Sequence, residues 1–249
     1  MKKFEILGVK IDAIDFGEIL DLVSASIAQK KKAQIATVNN EFIIEAVKNE
    51  EFREILNNCT LCIPDSVGIV WAVKRSFKIT IKRTPGADLF EKICKLAQGE
   101  KLRIFLFGGA SGVAKSAKLV LQKHYKGIHI VGTLDGIKVD AKKTDPEVIS
   151  EINNSKPDIL FVALGSPKQE FFIANNLSKL NASFFIGIGG TLDYVSGRVK
   201  RAPRLVRKLG MEWLFRLVVE PKRILRIISA IIVFPYLVIS RQKVINMSK

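Results

Sequence analysis

With only two histidines in 249 residues, the chain is poorly equipped for Ser-His or Cys-His nucleophilic chemistry. His124 falls in a helical pattern and His129 in a strand pattern, so neither is placed as a general base. The three cysteines, Cys59, Cys62 and Cys94, make no disulfide framework, and Cys59-x-x-Cys62 lacks a second pair or a nearby histidine for zinc. They read as reduced core thiols. No Asp-x-Asp occurs, so a phosphate site must rely on amides, Lys and Arg, and no metal or cofactor is expected. Full Gly-x-Gly-x-x-Gly spacing is missing too, which counts against a dinucleotide-dependent oxidoreductase. No repeat period is present, excluding a solenoid. Met1 to Phe16 holds Glu5, Asp12 and Asp15 and no apolar run of signal-peptide length, so a cytosolic location is expected.

What is abundant is positive charge, and it is uneven. The formal net charge is +16, of which residues 198–249 carry +11, from thirteen Lys/Arg against Glu212 and Glu220. Such a tail suits a polyanion, either nucleic acid or an anionic membrane surface. No nucleic-acid reader motif or aromatic stacking stripe accompanies it, so nucleic acid is not the expected partner. Within the tail, Ile227 to Ile239 is uncharged but contains Pro235. As a helix that run reaches only about 20 Å, short of a bilayer core of about 30 Å. It should lie on a membrane, not cross it, as a peripheral element on the inner, cytosolic face. The alternative is a core helix pair or a homo-oligomer interface.

Ahead of the tail, hydrophobic periodicity alternates between strand and helix. Expected strands are Phe4 to Ile11, Gln34 to Val38, Leu61 to Pro64, Leu102 to Phe107, Ile128 to Val131, Asp158 to Leu164 and Phe184 to Ile188. Helical stripes lie between most of them, such as the one capped by Asp15 with Glu18 at the capping-box position. The pattern predicts an α/β fold, a Rossmann-like, doubly wound, mostly parallel sheet over residues 1–197, with a basic amphipathic helical appendage over residues 198–249. Leu205 to Val219 reads as one amphipathic helix of that appendage.

In an open α/β sheet, ligands bind at the carboxyl ends of the strands, which directs attention to the turns. Leu61-Cys62-Ile63-Pro64 runs into Asp65 and Ser66, either of which can cap the following helix. Thr37 and Asn39 close the preceding strand, and Arg83 sits in a Gly/Pro-punctuated loop where a solvated charge is the ordinary reading. The glycine turns at Gly108 and Gly109, at Gly165, and at Gly189 and Gly190 with Asp193 beyond, offer bare amides for a nucleotide diphosphate. Asp65, Thr37, Asn39, Gln169 and Arg83 together suit proton abstraction from a sugar hydroxyl.

Taken in order, Thr37-x-Asn39, Ile63-Pro64-Asp65, Arg83-x-x-Gly86-x-Asp88, Phe107-Gly108-Gly109, Leu164-Gly165-x-Pro167-Lys168-Gln169-Glu170, Gly187-x-Gly189-Gly190-x-x-Asp193 and Arg201-Ala202-Pro203 span nearly the whole chain. This set resembles the WecG/TagA/CpsF family of bacterial glycosyltransferases. Ser66 is a departure, standing where the family's Pro-Asp-Gly motif has glycine. The resemblance implies inverting, metal-independent transfer of N-acetylmannosamine from a UDP-sugar donor to the 4-hydroxyl of GlcNAc on undecaprenyl diphosphate, as in wall teichoic acid linkage-unit synthesis. Asp65 would be the base, with Thr37, Asn39, Arg83 and Gln169 on the substrates. Arg216, Arg223 and Arg226 would reach a diphosphate or the membrane. UDP-N-acetylmannosaminuronic acid or UDP-glucose is the alternative donor within the family. Outside it, the competing reading is a membrane- or nucleic-acid-binding nucleotide-dependent protein.

Overall fold

The computed structural model describes residues 1–136, 144–208, 212–219 and 224–241. The chain opens with a hairpin, β1 (Lys2–Ile6) and β2 (Val9–Ala13), paired antiparallel with Ile6 opposite Val9. The sequence predicts one strand from Phe4 to Ile11, but Leu7 and Gly8 both take positive φ, 50° and 85°, and form a two-residue turn between matched strands. A leucine in the left-handed region is uncommon, so the alternating apolar pattern conceals this turn.

Next come α1 (Phe16–Ala28), β3 (Ala33–Val38), α2 (Asn40–Lys48), α3 (Glu50–Asn58), β4 (Leu61–Pro64), α4 (Val67–Phe77) and α5 (Gly86–Gly99). The second half adds β5 (Arg103–Gly108), α6 (Val113–His124), β6 (His129–Leu134), α7 (Pro146–Asn154), β7 (Ile159–Ala163), α8 (Lys168–Asn176), β8 (Phe184–Gly187) and α9 (Thr191–Val195). Strands β3 to β8 form one six-stranded, all-parallel sheet in the order β4-β3-β8-β7-β5-β6. Central strands such as Ile159–Ala163 are buried throughout, as a parallel sheet covered on both faces requires. One face packs Phe42, Phe52, Phe107, Phe172 and Phe185 together, and the other packs Ile19, Val23, Phe90, Ile93 and Phe161. The predicted Rossmann-like α/β class is the observed one.

Beyond the sheet, the C-terminal region forms α10 (Arg204–Lys208), α11 (Glu212–Val219), α12 (Ile224–Ile228), a π-helical turn (Ser229–Val233) and α13 (Phe234–Arg241). The expected helix from Leu205 to Val219 is represented by α10 and α11, and residues 209–211 lie outside the described residues. Pro235, which cannot donate to an α-helical ladder, is the second residue of α13, one residue beyond the π turn. The sheet is complete without these helices, yet Phe234, Leu237 and Val238 are buried in the same core as Phe4, Phe42 and Phe52. Among the described residues no helix is long and apolar enough to cross a membrane.

Candidate active site

At the carboxyl edge of the sheet, the ends of β4, β3, β8 and β7 open onto a cleft of about 310 Å³, a size within the usual range for small-molecule sites. Thr37, Asn39, Asp65, Arg83, Gly165, Gln169, Gly189 and Gly190 all line it. These eight candidates, spread over 154 positions of sequence from 37 to 190, converge because parallel strands deliver their C-terminal turns to one edge.

Asp65 is not the helix cap. Ser66 is the N-cap of α4, its Oγ accepting from the Ile69 N–H at 3.3 Å. The same hydroxyl donates to Asn40 Oδ1 at 2.7 Å. Its backbone is extended, with φ −107°, so the position does not demand glycine. The Asp65 carboxylate is instead held by the loop leading into α5: Gly86 N–H donates to Asp65 Oδ1 at 2.6 Å. That loop is docked on the strand end by Thr84 N–H, which donates to the Pro64 carbonyl at 2.8 Å. Gly86 must be small here, since a Cβ would come within 2.9 Å of the Thr37 methyl.

Asn39 caps α2, its Oδ1 accepting from Glu41 N–H at 2.9 Å and Phe42 N–H at 3.2 Å. Buried Thr37 donates from Oγ1 to the Gly187 carbonyl at 3.4 Å, joining β3 to the end of β8. Gln169 is buried and its amide is engaged: Oε1 accepts from Gly189 N–H at 3.0 Å, and Nε2 donates to Glu170 Oε1 at 2.7 Å. It therefore shapes the Gly189-Gly190 turn. Gly187 makes room for this pair, because a Cβ there would lie 2.4 Å from Gln169 Nε2 and 2.7 Å from Glu170 Oε1.

Glu170, the last residue of the Leu164-Gly165-x-Pro167-Lys168-Gln169-Glu170 motif, is only 1% exposed, and its burial has no signal in the sequence. Burial pushes its carboxyl up to about 8, against hydrogen bonds from Gln169 and Ser166 that pull the other way. Its Oε2 has no partner among the described residues.

Arg83 is not a free loop cation. Nη1 pairs with Glu212 Oε2 at 3.1 Å, and Nη2 donates to the Arg207 carbonyl at 3.1 Å. Close by, Asp88 on α5 receives both Arg201 and Arg207, the latter at 3.1 Å, and Arg201 also pairs with Glu91 at 2.7 Å. The Arg83-x-x-Gly86-x-Asp88 and Arg201-Ala202-Pro203 motifs are thus one ionic cluster that ties the C-terminal helices to the loop carrying Gly86. Those helices form a wall of the cleft through Glu212, Trp213, Ile227, Ala230 and Ile231. The one available signal for Glu212 was its rarity as an acid in a basic tail.

Other predicted positions lie elsewhere. Gly108 and Gly109 end β5, one strand beyond the cleft, and do not line it. A Cβ on Gly108 would meet the Ala163 backbone at 2.5 Å, and Gly109 N–H donates to the Ala163 carbonyl at 2.9 Å, so this glycine turn serves strand packing. At the start of α6, Gly112 N–H is taken by Asp135 Oδ2 at 3.0 Å. Asp193 does not line the cleft either, although Thr191 and Tyr194 beside it do. Arg223 and the side chains of Arg216 and Arg226 lie outside the described residues. Among the described residues, no three His, Cys, Asp or Glu side chains group as metal ligands.

The cleft therefore presents a held carboxylate, hydroxyl and amide groups, glycine-turn amides and paired guanidinium groups, an array suited to a sugar and a diphosphate. Comparison with known proteins agrees. The profile of the "Glycosyl transferase WecG/TagA/CpsF family" matches residues 4–248. A Bacillus subtilis (strain 168) protein named N-acetylglucosaminyldiphosphoundecaprenol N-acetyl-beta-D-mannosaminyltransferase is 36% identical over 203 residues, covering 82% of this chain and 78% of that protein. A Bacillus spizizenii protein of the same name is 35% identical over 225 residues, 88% of this chain and 86% of its own. The Staphylococcus aureus (strain NCTC 8325 / PS 47) protein of that name is 30% identical over 249 residues, 99% of this chain and 96% of its own. On the profile, the relatives and the sheet-edge cleft together, the chain belongs to the WecG/TagA/CpsF family of glycosyltransferases.

Proposed function

We propose that the cleft transfers N-acetylmannosamine from its UDP donor to the 4-hydroxyl of GlcNAc on undecaprenyl diphosphate, forming the β-1,4 bond of a wall teichoic acid linkage unit. The names of the relatives support the sugars and the lipid acceptor. The observation that carries the chemistry is Asp65: Gly86 N–H orients its carboxylate at the cleft lining, while Ser66 caps the following helix, which suits it to accept a proton.

As the acceptor oxygen forms its bond to the anomeric carbon, Asp65 takes the hydroxyl proton, a role worth about 10² to 10⁴ in rate. The bond to UDP breaks on the opposite face, so an α-linked donor yields a β product. Asn39 and Thr37 orient the sugars, and Gln169 acts through the Gly189-Gly190 turn it holds. Charge on departing UDP is met by amides at Gly165 and Gly190, in turns that line the cleft, and by Arg83, without a metal. The basic tail, with exposed Leu205, Val218, Ile232 and Tyr236, favours a peripheral position at the cytosolic face of the plasma membrane.

The test is UDP release from UDP-N-acetylmannosamine with a short-chain lipid-diphosphate GlcNAc acceptor, with and without EDTA. Undiminished release in EDTA is expected. Loss restored by magnesium or manganese would refute metal independence, and faster release from UDP-glucose or UDP-N-acetylmannosaminuronic acid would reassign the donor.

A further inference from the structure

Two apolar side chains, Val67 on α4 and Ile231 on the π-helical turn, line the cleft while remaining 46% and 40% exposed. Each lines the cleft and keeps a large accessible apolar surface. Trp71, 38% exposed, lies one turn beyond Val67 on the same face of α4, and Ile232, 63% exposed, adjoins Ile231. Trp71 is fixed in place, with its ring edge-on at 6.5 Å to fully buried Phe234 on α13. The π turn is fixed too. Asn40 Nδ2 donates to the Ala230 carbonyl at 2.8 Å, and Asn40 Oδ1 accepts from Ser66, the neighbour of Asp65. An ordered, uncharged strip thus starts beside the candidate base and runs out of the cleft.

Resting on the transfer reading above, we propose that Val67, Trp71, Ile231 and Ile232 seat the first isoprene units of the acceptor lipid where the chain leaves the cleft. The sugar hydroxyl to be deprotonated must reach Asp65, and the polyprenyl chain attached to the same molecule must then emerge past the cleft's rim. A polar rim would oppose a hydrocarbon, whereas this strip removes its surface from water. The seat is a lipid site within the protein, distinct from contact with a bilayer.

The experiment uses the full chain, UDP-N-acetylmannosamine, and GlcNAc-diphosphate acceptors bearing a methyl group or one, two or three isoprene units, all monomeric and without vesicles. The wild-type KM should fall about tenfold or more along the series, the scale expected from apolar burial. In Trp71→Gln and in Ile232→Gln that ratio should collapse towards one, while Trp71→Phe keeps it. Ile232 is largely exposed, so its variant reads the seat even if Trp71→Gln weakens the fold. A flat wild-type KM, a chain-length dependence that appears only with anionic vesicles, or variants that keep the full ratio would each overturn the seat. Absence of UDP release with every acceptor would instead overturn the transfer reading, and the seat with it.

Discussion

Gly86 N–H donates to Asp65 Oδ1 at 2.6 Å, so the first residue of α5 orients the candidate base. That bond holds Oδ1, and the helix-capping role is filled by Ser66. Asp65→Asn retains an oxygen to accept from Gly86. It should leave the melting temperature and UDP affinity near wild type and lower UDP release by about 10² to 10⁴. Near-normal turnover in this variant would remove Asp65 from the chemistry.

Arg83 pairs with Glu212, and the proposed mechanism also gives it the donor diphosphate. If its guanidinium meets the diphosphate, Glu212 competes with that ligand for it. Arg83→Gln should weaken UDP binding about tenfold or more, the usual scale for a charge-assisted hydrogen bond, and Glu212→Gln should tighten it a few-fold. Titration calorimetry with UDP separates the two. Equal losses of thermal stability with unchanged UDP affinity would make the pair a strut between loop and tail.

Glu170 gives the fold a pH dependence of definite sign. Its carboxyl sits at about 8 in the native protein against an ordinary 4.5, because burial disfavours the charged form. Between those values the native state holds a proton that the unfolded chain has released, so stability falls as pH rises through the window, by an amount on the order of a few kcal/mol. Glu170→Gln keeps an acceptor for Gln169 and removes the titration. Urea midpoints measured from pH 5 to 8.5 should decline less steeply in the variant, and parallel declines would show that another group titrates.

The strand and helix alternation was legible because buried parallel strands are continuous apolar runs bounded by glycine and polar turns. Leu7-Gly8 was not, since a leucine carries no turn signal. Strand order depends on crossovers between distant segments, so nothing local in Phe107-Gly108-Gly109 reveals that β5 lies one strand beyond the cleft while Gly165 and Gly189 reach it. Asp65 and Ser66 are both capping residue types, and only the observed bond to Ile69 N–H separates them. Arg83 and Glu212 are 129 positions apart, and their pairing is a tertiary fact with no sequence period behind it.

The break at Arg198, where strand-helix alternation gives way to basic apolar helices, predicts different consequences for the sheet and for the cleft. Truncation after Gly197 leaves every strand in place, so far-ultraviolet circular dichroism should remain that of an α/β protein. It removes Phe234, Leu237 and Val238 from the core, and loss of a buried phenylalanine side chain alone costs about 3–5 kcal/mol, so the denaturation midpoint should drop clearly. It also strips Trp213, Ile227 and Ile231 from the cleft and leaves Arg83 and Asp88 without Glu212, Arg201 and Arg207. A water-soluble acceptor bypasses any need for a membrane anchor but cannot replace that wall. UDP release on such an acceptor should therefore stay far below wild type, even at low temperature where the truncated core is folded. Full activity there would make the C-terminal helices an anchor alone and would place the whole catalytic apparatus on the sheet edge.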